Sequence, residues 1–363
     1  MSSYEIAVVK GDGIGPEVCQ AAIDVLKAAE PAPGVLRFVE YSAGAEEYRR
    51  SGDAYPESAF LGCKAAHAIL HGAGGLPDVT YPDGVEAGAD FGLKTRFRLD
   101  LYANIRPIRL YDGVRSRLRD RKTGDIDYVI VRENTEGLYA ARSGGVALRG
   151  EVAADTLMMT RKGVERVSRA AFEIARKRNG APRDGKRRVT CCDKSNVLRS
   201  YAFFRKIFNE VATEYPDIEV DYALADAMMC HLVERPDFYD VIVTENMFGD
   251  IISDLACATV GGMGMSPSSE LGDNHALFQA AHGSAPTIAG KGAANPYGSI
   301  LSAASMLGWL GERHTDDRLK KAGRSIERAV EAALAGGDKY LTPDLGGAAK
   351  TQGVAEGVIR HLE

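Results

Sequence analysis

The chain has 363 residues, with 45 basic and 50 acidic side chains, a formal net charge of −5 and 45% hydrophobic content. That is the make-up of a water-soluble globular enzyme with enough chain for one large or two modest domains. It excludes the basic surface of a nucleic-acid binder, and no apolar run reaches membrane-spanning length. Six cysteines (Cys19, Cys63, Cys191, Cys192, Cys230, Cys257) show no CxxC spacing. Neither a zinc site nor a disulfide framework is therefore expected, and reduced thiols suit a cytoplasmic protein. The first residues lack the basic and long apolar stretches of a signal peptide.

In chain order, Glu5 to Val9 reads as a short buried strand that runs into Gly11-Asp-Gly-Ile-Gly-Pro16. A helix is predicted from Glu17 to about Ala29, with Pro16 in its first turn, where the missing N–H costs nothing. The glycines invite a dinucleotide-binding reading. However, the third comes one residue early for G-x-G-x-x-G, and no acidic residue is clearly placed about twenty residues on. No Gly-Lys-Ser/Thr follows, which removes a P-loop, and a tight strand-to-helix turn is the simpler expectation. Ala66 to Gly72 reads as a second strand; Tyr128–Val131 and Tyr239–Thr244 are further β-rich runs. Ser143 to Asp155, with three glycines and several β-branched residues, predicts a hairpin. Helical patterns cover Lys162–Arg178, Tyr201–Glu214, Ser302–Leu310 and Asp317–Leu334. Strands alternating with helices indicate α/β architecture.

Four residues carry the chemistry. Asp250 and Asp254 lie four apart in Asn246-Met-Phe-Gly-Asp-Ile-Ile-Ser-Asp254, so on a helix both carboxylates leave one face. With Asp226 and Lys194 they suit a hard divalent cation such as Mg²⁺ or Mn²⁺. The plainer alternatives are a pair of helix-surface carboxylates, and a lysine paired with Asp193 at a strand end. His282-Gly-Ser-Ala-Pro-Thr-Ile-Ala-Gly290 lets a nucleotide approach backbone N–H groups, or is a plain glycine turn with a surface histidine.

Seven segments occur in order: Gly11-Asp-Gly-Ile-Gly-Pro-Glu-Val18, Asn104-Ile-Arg-Pro107, Val131-Arg-Glu-Asn-Thr-Glu-Gly-Leu-Tyr139, Asp193-Lys-Ser-Asn-Val-Leu198, Asn246 to Asp254, His282-Gly-Ser-Ala-Pro286 and Thr342-Pro-Asp-Leu-Gly-Gly347. Together they resemble the β-decarboxylating dehydrogenases of (2R)-malate derivatives, which act on isopropylmalate, isocitrate, homoisocitrate, tartrate or D-malate. The resemblance covers essentially the whole chain. It implies a two-domain isopropylmalate-dehydrogenase-like α/β fold that is not a Rossmann fold, and a homodimer with shared active sites. Residues 1–100 plus 261–363 would form the nucleotide-binding domain. Residues 101–260 would form the central domain with the dimer interface and metal ligands, and the hairpin would be an intersubunit β arm.

The resemblance also implies roles. Arg96, Arg106 and Arg132 would bind the substrate's carboxylates, for which planar, always-charged forks are suited; Arg98 is read as structural. Asp250 and Asp254 would ligate the metal with Asp226 of the second subunit. Lys194, also from the second subunit, would be the general base on the substrate hydroxyl, and Tyr139 the acid that protonates the enolate carbon after CO₂ leaves. Asn196 would lie near the nicotinamide, and His282, Gly283, Ser284, Ala285 and Asn295 would contact the cofactor. Thr287-Ile288 stands where NADP-using relatives carry Lys-Tyr and NAD-using ones Asp-Ile, so NAD is expected.

The segment Ala89-Asp-Phe-Gly-Leu-Lys-Thr-Arg96 matches the family's specificity segment. Gly92-Leu93 replaces the Leu-Leu pair of isopropylmalate enzymes, a loss of pocket contact worth roughly 1–3 kcal/mol. Asp90 would repel isocitrate's third carboxylate if it faced the substrate. The expected order is isopropylmalate or another 3-alkylmalate, then D-malate or tartrate, then homoisocitrate, then isocitrate. Two readings from other classes stand beside this one. A non-catalytic regulatory subunit would lose the tyrosine, lysine or aspartates that this chain keeps, and a metal-dependent lyase or hydrolase would have no use for residues 282–295.

Overall fold

The computed structural model describes residues 3–141 and 144–362. The chain forms β1 (Tyr4–Gly11), α1 (Gly15–Ala28), β2 (Leu36–Glu40), α2 (Ala45–Ser51), α3 (Glu57–Ala65), β3 (Ala68–Ala73) and α4 (Asp90–Arg98). It continues through β4 (Ala103–Arg109), β5 (Asp127–Glu133), β6 (Val146–Leu148), β7 (Val152–Ala154), α5 (Arg161–Lys177), β8 (Arg188–Asp193), α6 (Arg199–Ala212), β9 (Glu219–Leu224), α7 (Ala225–Glu234), β10 (Val241–Thr244) and α8 (Asn246–Thr259). It ends with β11 (Pro267–Leu271), β12 (Ala276–Ala280), α9 (Tyr297–Arg313), α10 (Asp317–Ala335) and α11 (Thr351–Arg360).

These elements make two compact units. One holds residues 1–100, 111–115 and 261–363; the other holds 101–110 and 116–260. The short piece Tyr111–Arg115 packs with the terminal segments. Gly113, at φ +79, brings its backbone so close to the Leu334 carbonyl that a Cβ would lie 2.1 Å from that oxygen.

In the terminal unit the strands run in the order β2-β1-β3-β12-β11, parallel except for the antiparallel β11–β12 pair. All six residues of β3 are buried, as expected of a central strand covered on both faces. Helices α1, α9, α10 and α11 pack against one another beside this sheet. The expected turn at Gly11–Gly15 is present, and its chemistry is structural. The buried Asp12 carboxylate accepts hydrogen bonds from the N–H groups of Ala45 (2.8 Å), Glu46 (3.0 Å) and Gly75 (2.8 Å), which starts α2 and ties down the loop after β3. Gly13, at φ +57, sits where a Cβ would be 2.0 Å from the Ser284 carbonyl oxygen, and Ile14 N–H donates to that oxygen at 2.8 Å. The first glycine motif therefore buttresses the His282 loop.

In the central unit the order is β4-β5-β10-β8-β9, parallel except for β4 against β5. The period-2 alternation of strands divides its faces. Val129, Val131, Val189, Cys191, Val241 and Val243 enter one core with Val164, Phe172, Phe204 and Phe208 of α5 and α6. The alternate residues, including Arg132, belong to the opposite face, where α8 packs on β5. In the β4–β5 register, Asn104 lies opposite Arg132 and Arg106 opposite Ile130, so all three polar side chains share the α8 face.

The expected hairpin is formed by β6 and β7, which pair Val146 with Ala154 and Leu148 with Val152; Ser143, the first residue of the expected span, lies outside the described residues. The helix expected at Ser302–Leu310 begins earlier, at Tyr297, because Asn295 Oδ1 accepts the Tyr297 N–H (3.0 Å) and starts the first turn. Among the described residues no helix is long and apolar enough to cross a membrane.

Candidate active site

Helix α8 starts where the buried Glu245 side chain caps it, accepting the Phe248 N–H at 2.7 Å. The helix then presents Asn246, Asp250, Ser253 and Asp254 at spacings of three and four. Arg132 Nε and Nη2 both donate to Asn246 Oδ1 (3.0 and 2.7 Å), and its Nη1 bonds Asp250 Oδ1. Asn246 Nδ2 in turn donates to the Glu136 carbonyl (2.9 Å). Arg106 Nε donates to Asn104 Oδ1 (3.3 Å), Nη1 to Ser253 Oγ (2.5 Å) and Nη2 to Asp250 Oδ1 (3.4 Å). The Ser253 hydroxyl spends its own proton on the Asp250 carbonyl (2.9 Å), which leaves its oxygen to accept from Arg106. Tyr139 donates its hydroxyl proton to Asp250 Oδ2 (2.9 Å).

Five expected site residues, Arg106, Arg132, Tyr139, Asp250 and Asp254, are thus brought together in the central unit. Both arginines are buried, whereas Asp254 is half exposed, with Oδ1 3.9 Å from Arg106 Nη1. Partial burial raises the Asp254 carboxyl above the usual carboxylate range; Arg106 opposes that rise and neighbouring Asp250 adds to it. Two carboxylates on one helix face, each with hard oxygens, fit a divalent cation, and Asp250 and Asp254 would hold it. Gly249 is required by the same geometry. A Cβ there would fall 2.6 Å from Arg132 Cγ and 2.7 Å from its Cβ, so Arg132 crosses α8 at the one residue without a side chain.

Lys194 and Asp226 pair with each other, Nζ to Oδ1 at 2.6 Å. The alternative Lys194–Asp193 pairing is displaced because Arg205 forks onto Asp193 with bonds of 2.7 and 2.9 Å. The Lys194 ammonium holds the Asp226 carboxyl below its ordinary value. Asn196 lies exposed in the turn that follows. Among the described residues no three His, Cys, Asp or Glu side chains gather into a metal-binding group, so Asp226 does not join Asp250 and Asp254 within one chain.

In the terminal unit, Arg96 near the end of α4 makes a two-pronged contact with Glu270 on β11: Nε to Oε2 at 2.9 Å and Nη2 to Oε1 at 2.6 Å. Asp90, at the start of α4, is buried rather than open. Lys94 Nζ (2.6 Å) and the Tyr81 hydroxyl (2.6 Å) both engage its Oδ2. Its charge is therefore compensated, which removes the repulsion expected toward a third carboxylate. Arg98 pairs with Glu57 and lies over the Phe60 ring, a structural place as expected.

The His282 loop suits a nucleotide. A Cβ at Gly283, Gly290 or Gly292 would meet nothing within 4 Å, and Ala285 adopts a left-handed φ of +38. His282 Nδ1 donates to the Gly283 carbonyl (3.0 Å), while Nε2 is shut off from solvent without a partner. Burial lowers the imidazole pKa, so a neutral ring presents an acceptor there. Ser284 is held through its carbonyl by Ile14. Asn295 is occupied, receiving Tyr297 N–H and donating to Asp344 Oδ2 (3.0 Å).

Asn104, Asn246, Ser253 and Glu270 are site residues that sequence reasoning missed. Asn104 stands two before Arg106 on a strand, and Asn246 and Ser253 lie on the α8 face of Asp250, so spacing carried a signal for these three. Glu270 had none, lying 174 residues from its partner.

The sequence matches the isocitrate/isopropylmalate dehydrogenase family over residues 5–358. It is 44% identical to a 3-isopropylmalate/3-methylmalate dehydrogenase of Methanocaldococcus jannaschii, covering 99% of both chains. It is 40% identical to a homoisocitrate dehydrogenase of the same organism, covering 99% of this chain and 97% of that one. The solved structure of isocitrate dehydrogenase from Methylococcus capsulatus superposes with a TM-score of 0.86 at 35% identity, covering 99% of each chain. Matched over nearly its whole length, the chain belongs to the isocitrate/isopropylmalate dehydrogenase family and is a decarboxylating oxidoreductase.

Proposed function

We propose that the protein carries out the NAD- and divalent-metal-dependent oxidative decarboxylation of a 3-substituted (2R)-malate, with 3-isopropylmalate or another 3-alkylmalate as substrate. The observation that carries this reading is the convergence of Arg106, Arg132 and Tyr139 on one carboxylate, Asp250, held four residues from Asp254. Guanidinium groups already arrayed around a carboxylate supply the planar donor geometry that a diacid needs. Arg96, Arg106 and Arg132 bind and orient the two carboxylates. Lys194 takes the proton of the substrate hydroxyl. Tyr139 delivers a proton to the enolate carbon once CO₂ has left. When bound, Mg²⁺ or Mn²⁺ would polarise the C2 oxygen and NAD would accept the hydride. Asp250, Asp254 and the second subunit's Asp226 would hold the ion. His282, Gly283, Ser284 and Ala285 would line the adenosine side of the cofactor, Asn295 would shape that loop, and Asn196 would lie near the nicotinamide.

A homodimer with shared sites follows from the same reading. Among the described residues Lys194 and Asp226 form no metal-binding group with Asp250 and Asp254 in one chain, and apolar side chains are exposed at Val197 (68%), three residues after Lys194, at Ile251 (50%), next to Asp250, and at Leu148 (56%) on the β6–β7 hairpin. Covering them with a second copy, the hairpin serving as an intersubunit arm, buries apolar surface and completes the residue set.

The test is NADH absorbance at 340 nm, with Mg²⁺ and NAD or NADP, across 3-isopropylmalate, D-malate, tartrate, homoisocitrate and isocitrate. The expected result is NAD reduction with CO₂ release and the highest kcat/KM for an alkylmalate. No turnover of any 2-hydroxy diacid would end this reading.

A further inference from the structure

The three arginines rest on chemically different supports. Arg106 is anchored by the neutral oxygens of Asn104 and Ser253, and Arg132 by that of Asn246; both also meet Asp250, a partly exposed carboxylate that is the proposed metal ligand. Arg96 is anchored by a carboxylate, both oxygens of which it engages. Glu270 is fully shielded from solvent, and Gln279 Nε2 also donates to its Oε1 (2.7 Å). In the β11–β12 register Glu270 faces Leu277, so Gln279, two residues further, shares its face of the sheet. A planar two-pronged contact of this kind fixes the guanidinium in orientation and cancels its net charge.

The rest of the helix follows the same rule. Between its first residue and Arg96, α4 carries charge on Asp90, Lys94 and Arg96, and these are matched in pairs: Asp90 with Lys94, Arg96 with Glu270. Gly92 and Leu93, one turn before Arg96 on the same side of the helix, are uncharged, and a Cβ on Gly92 would meet nothing within 4 Å. Taken with its partners Glu270 and Glu57, the helix that matches the family's specificity segment is charge-compensated, and it has open space at Gly92.

We infer that Glu270 is a positioning residue for Arg96 that sets substrate choice: by cancelling the guanidinium charge it biases the enzyme toward malates with an uncharged 3-substituent and against tricarboxylates. This rests on the reading above that Arg96 and α4 meet the substrate. A third carboxylate brought to α4 meets no uncompensated cation, so it loses water without gaining an ion pair.

Glu270→Gln uncovers the Arg96 charge while keeping the side-chain shape, and Glu270→Asp keeps the carboxylate. The readout is the ratio of kcat/KM for isocitrate and homoisocitrate to that for 3-isopropylmalate, with the KM for NAD as the control. The Gln variant is expected to raise the ratio about tenfold or more at an unchanged NAD KM, and the Asp variant to stay near wild type. Loss of a merely structural ion pair would depress all substrates alike. Where the Gln protein does not fold, Glu270→Asn, which leaves room for solvent beside Arg96, serves with the same expectation. An unchanged ratio in a neutral variant that still oxidises 3-isopropylmalate overturns this inference alone, as does a wild-type preference for isocitrate. A wild-type protein inactive on every 2-hydroxy diacid overturns the parent reading instead.

Discussion

Tyr139 and Asp250 meet through one hydrogen bond, so their substitutions separate two functions. Tyr139→Phe removes the proposed acid but keeps the ring beside Arg132. Steady-state kinetics should show kcat reduced by about 10²–10⁴-fold with little change in KM, the range expected for a general acid; unchanged turnover would remove the tyrosine from that role. Asp250→Asn weakens a hard anionic ligand and also the bonds from Arg106 and Arg132. A Mg²⁺ titration should show a sharply higher metal requirement, and an unaltered one would place the ion elsewhere. His71 sets a pH dependence. Its ring is buried, with Nδ1 donating to the Val9 carbonyl (2.8 Å), and burial lowers its pKa against the opposing pull of Glu270 and Asp12. Folded His71 binds fewer protons than the unfolded chain below the ordinary histidine value of 6.5. The stability it supports is therefore present above that pH and lost as pH falls through the folded value. Thermal melts from pH 7 to 5 should show a falling Tm, and His71→Gln, which keeps a donor for Val9, should flatten part of that slope.

At the scale of elements, α8 concentrates the chemistry because one helix face collects residues three and four apart. That pattern was legible in the sequence, as were β1, α5, α6 and α10 through their apolar spacing and the hairpin through its glycines and β-branched residues. Helix α8 could come close to β5 only because position 249 lacks a side chain. Gly249→Ala should destabilise the protein by about 1–3 kcal/mol through forced displacement of Arg132. It should also raise the KM for the diacid more than that for NAD. Calorimetry and kinetics on the same preparation check both, and a wild-type diacid KM would mean that Arg132 does not carry substrate. Strand β4, by contrast, was not visible as a strand in the sequence, since its Asn104-Ile-Arg-Pro107 mixes polar residues into a short run. Its place is set by pairing with β5.

At the scale of the whole molecule, the two chemically equipped groups of the central unit, Asp250 with its arginines and Lys194 with Asp226, make a direct test of the proposed dimer. Lys194→Ala and Tyr139→Phe should each be inactive alone. Refolded together, mixed dimers carry one intact site, and activity should return to about a quarter of wild type if sites are shared between subunits; no recovery would confine each site to one chain. The sequence alone determined the α/β class, the family motifs and the four-residue spacing of Asp250 and Asp254, because these depend on local periodicity and on residues adjacent in the chain. Only the tertiary structure decided what these charges face: Asp12 on backbone N–H groups, Lys194 on Asp226 rather than Asp193, and Arg96 on Glu270. Such pairings are chosen when strands and helices apart in sequence are packed together: each charge takes the partner that packing brings within reach, and a buried one, such as Glu270, cannot go without.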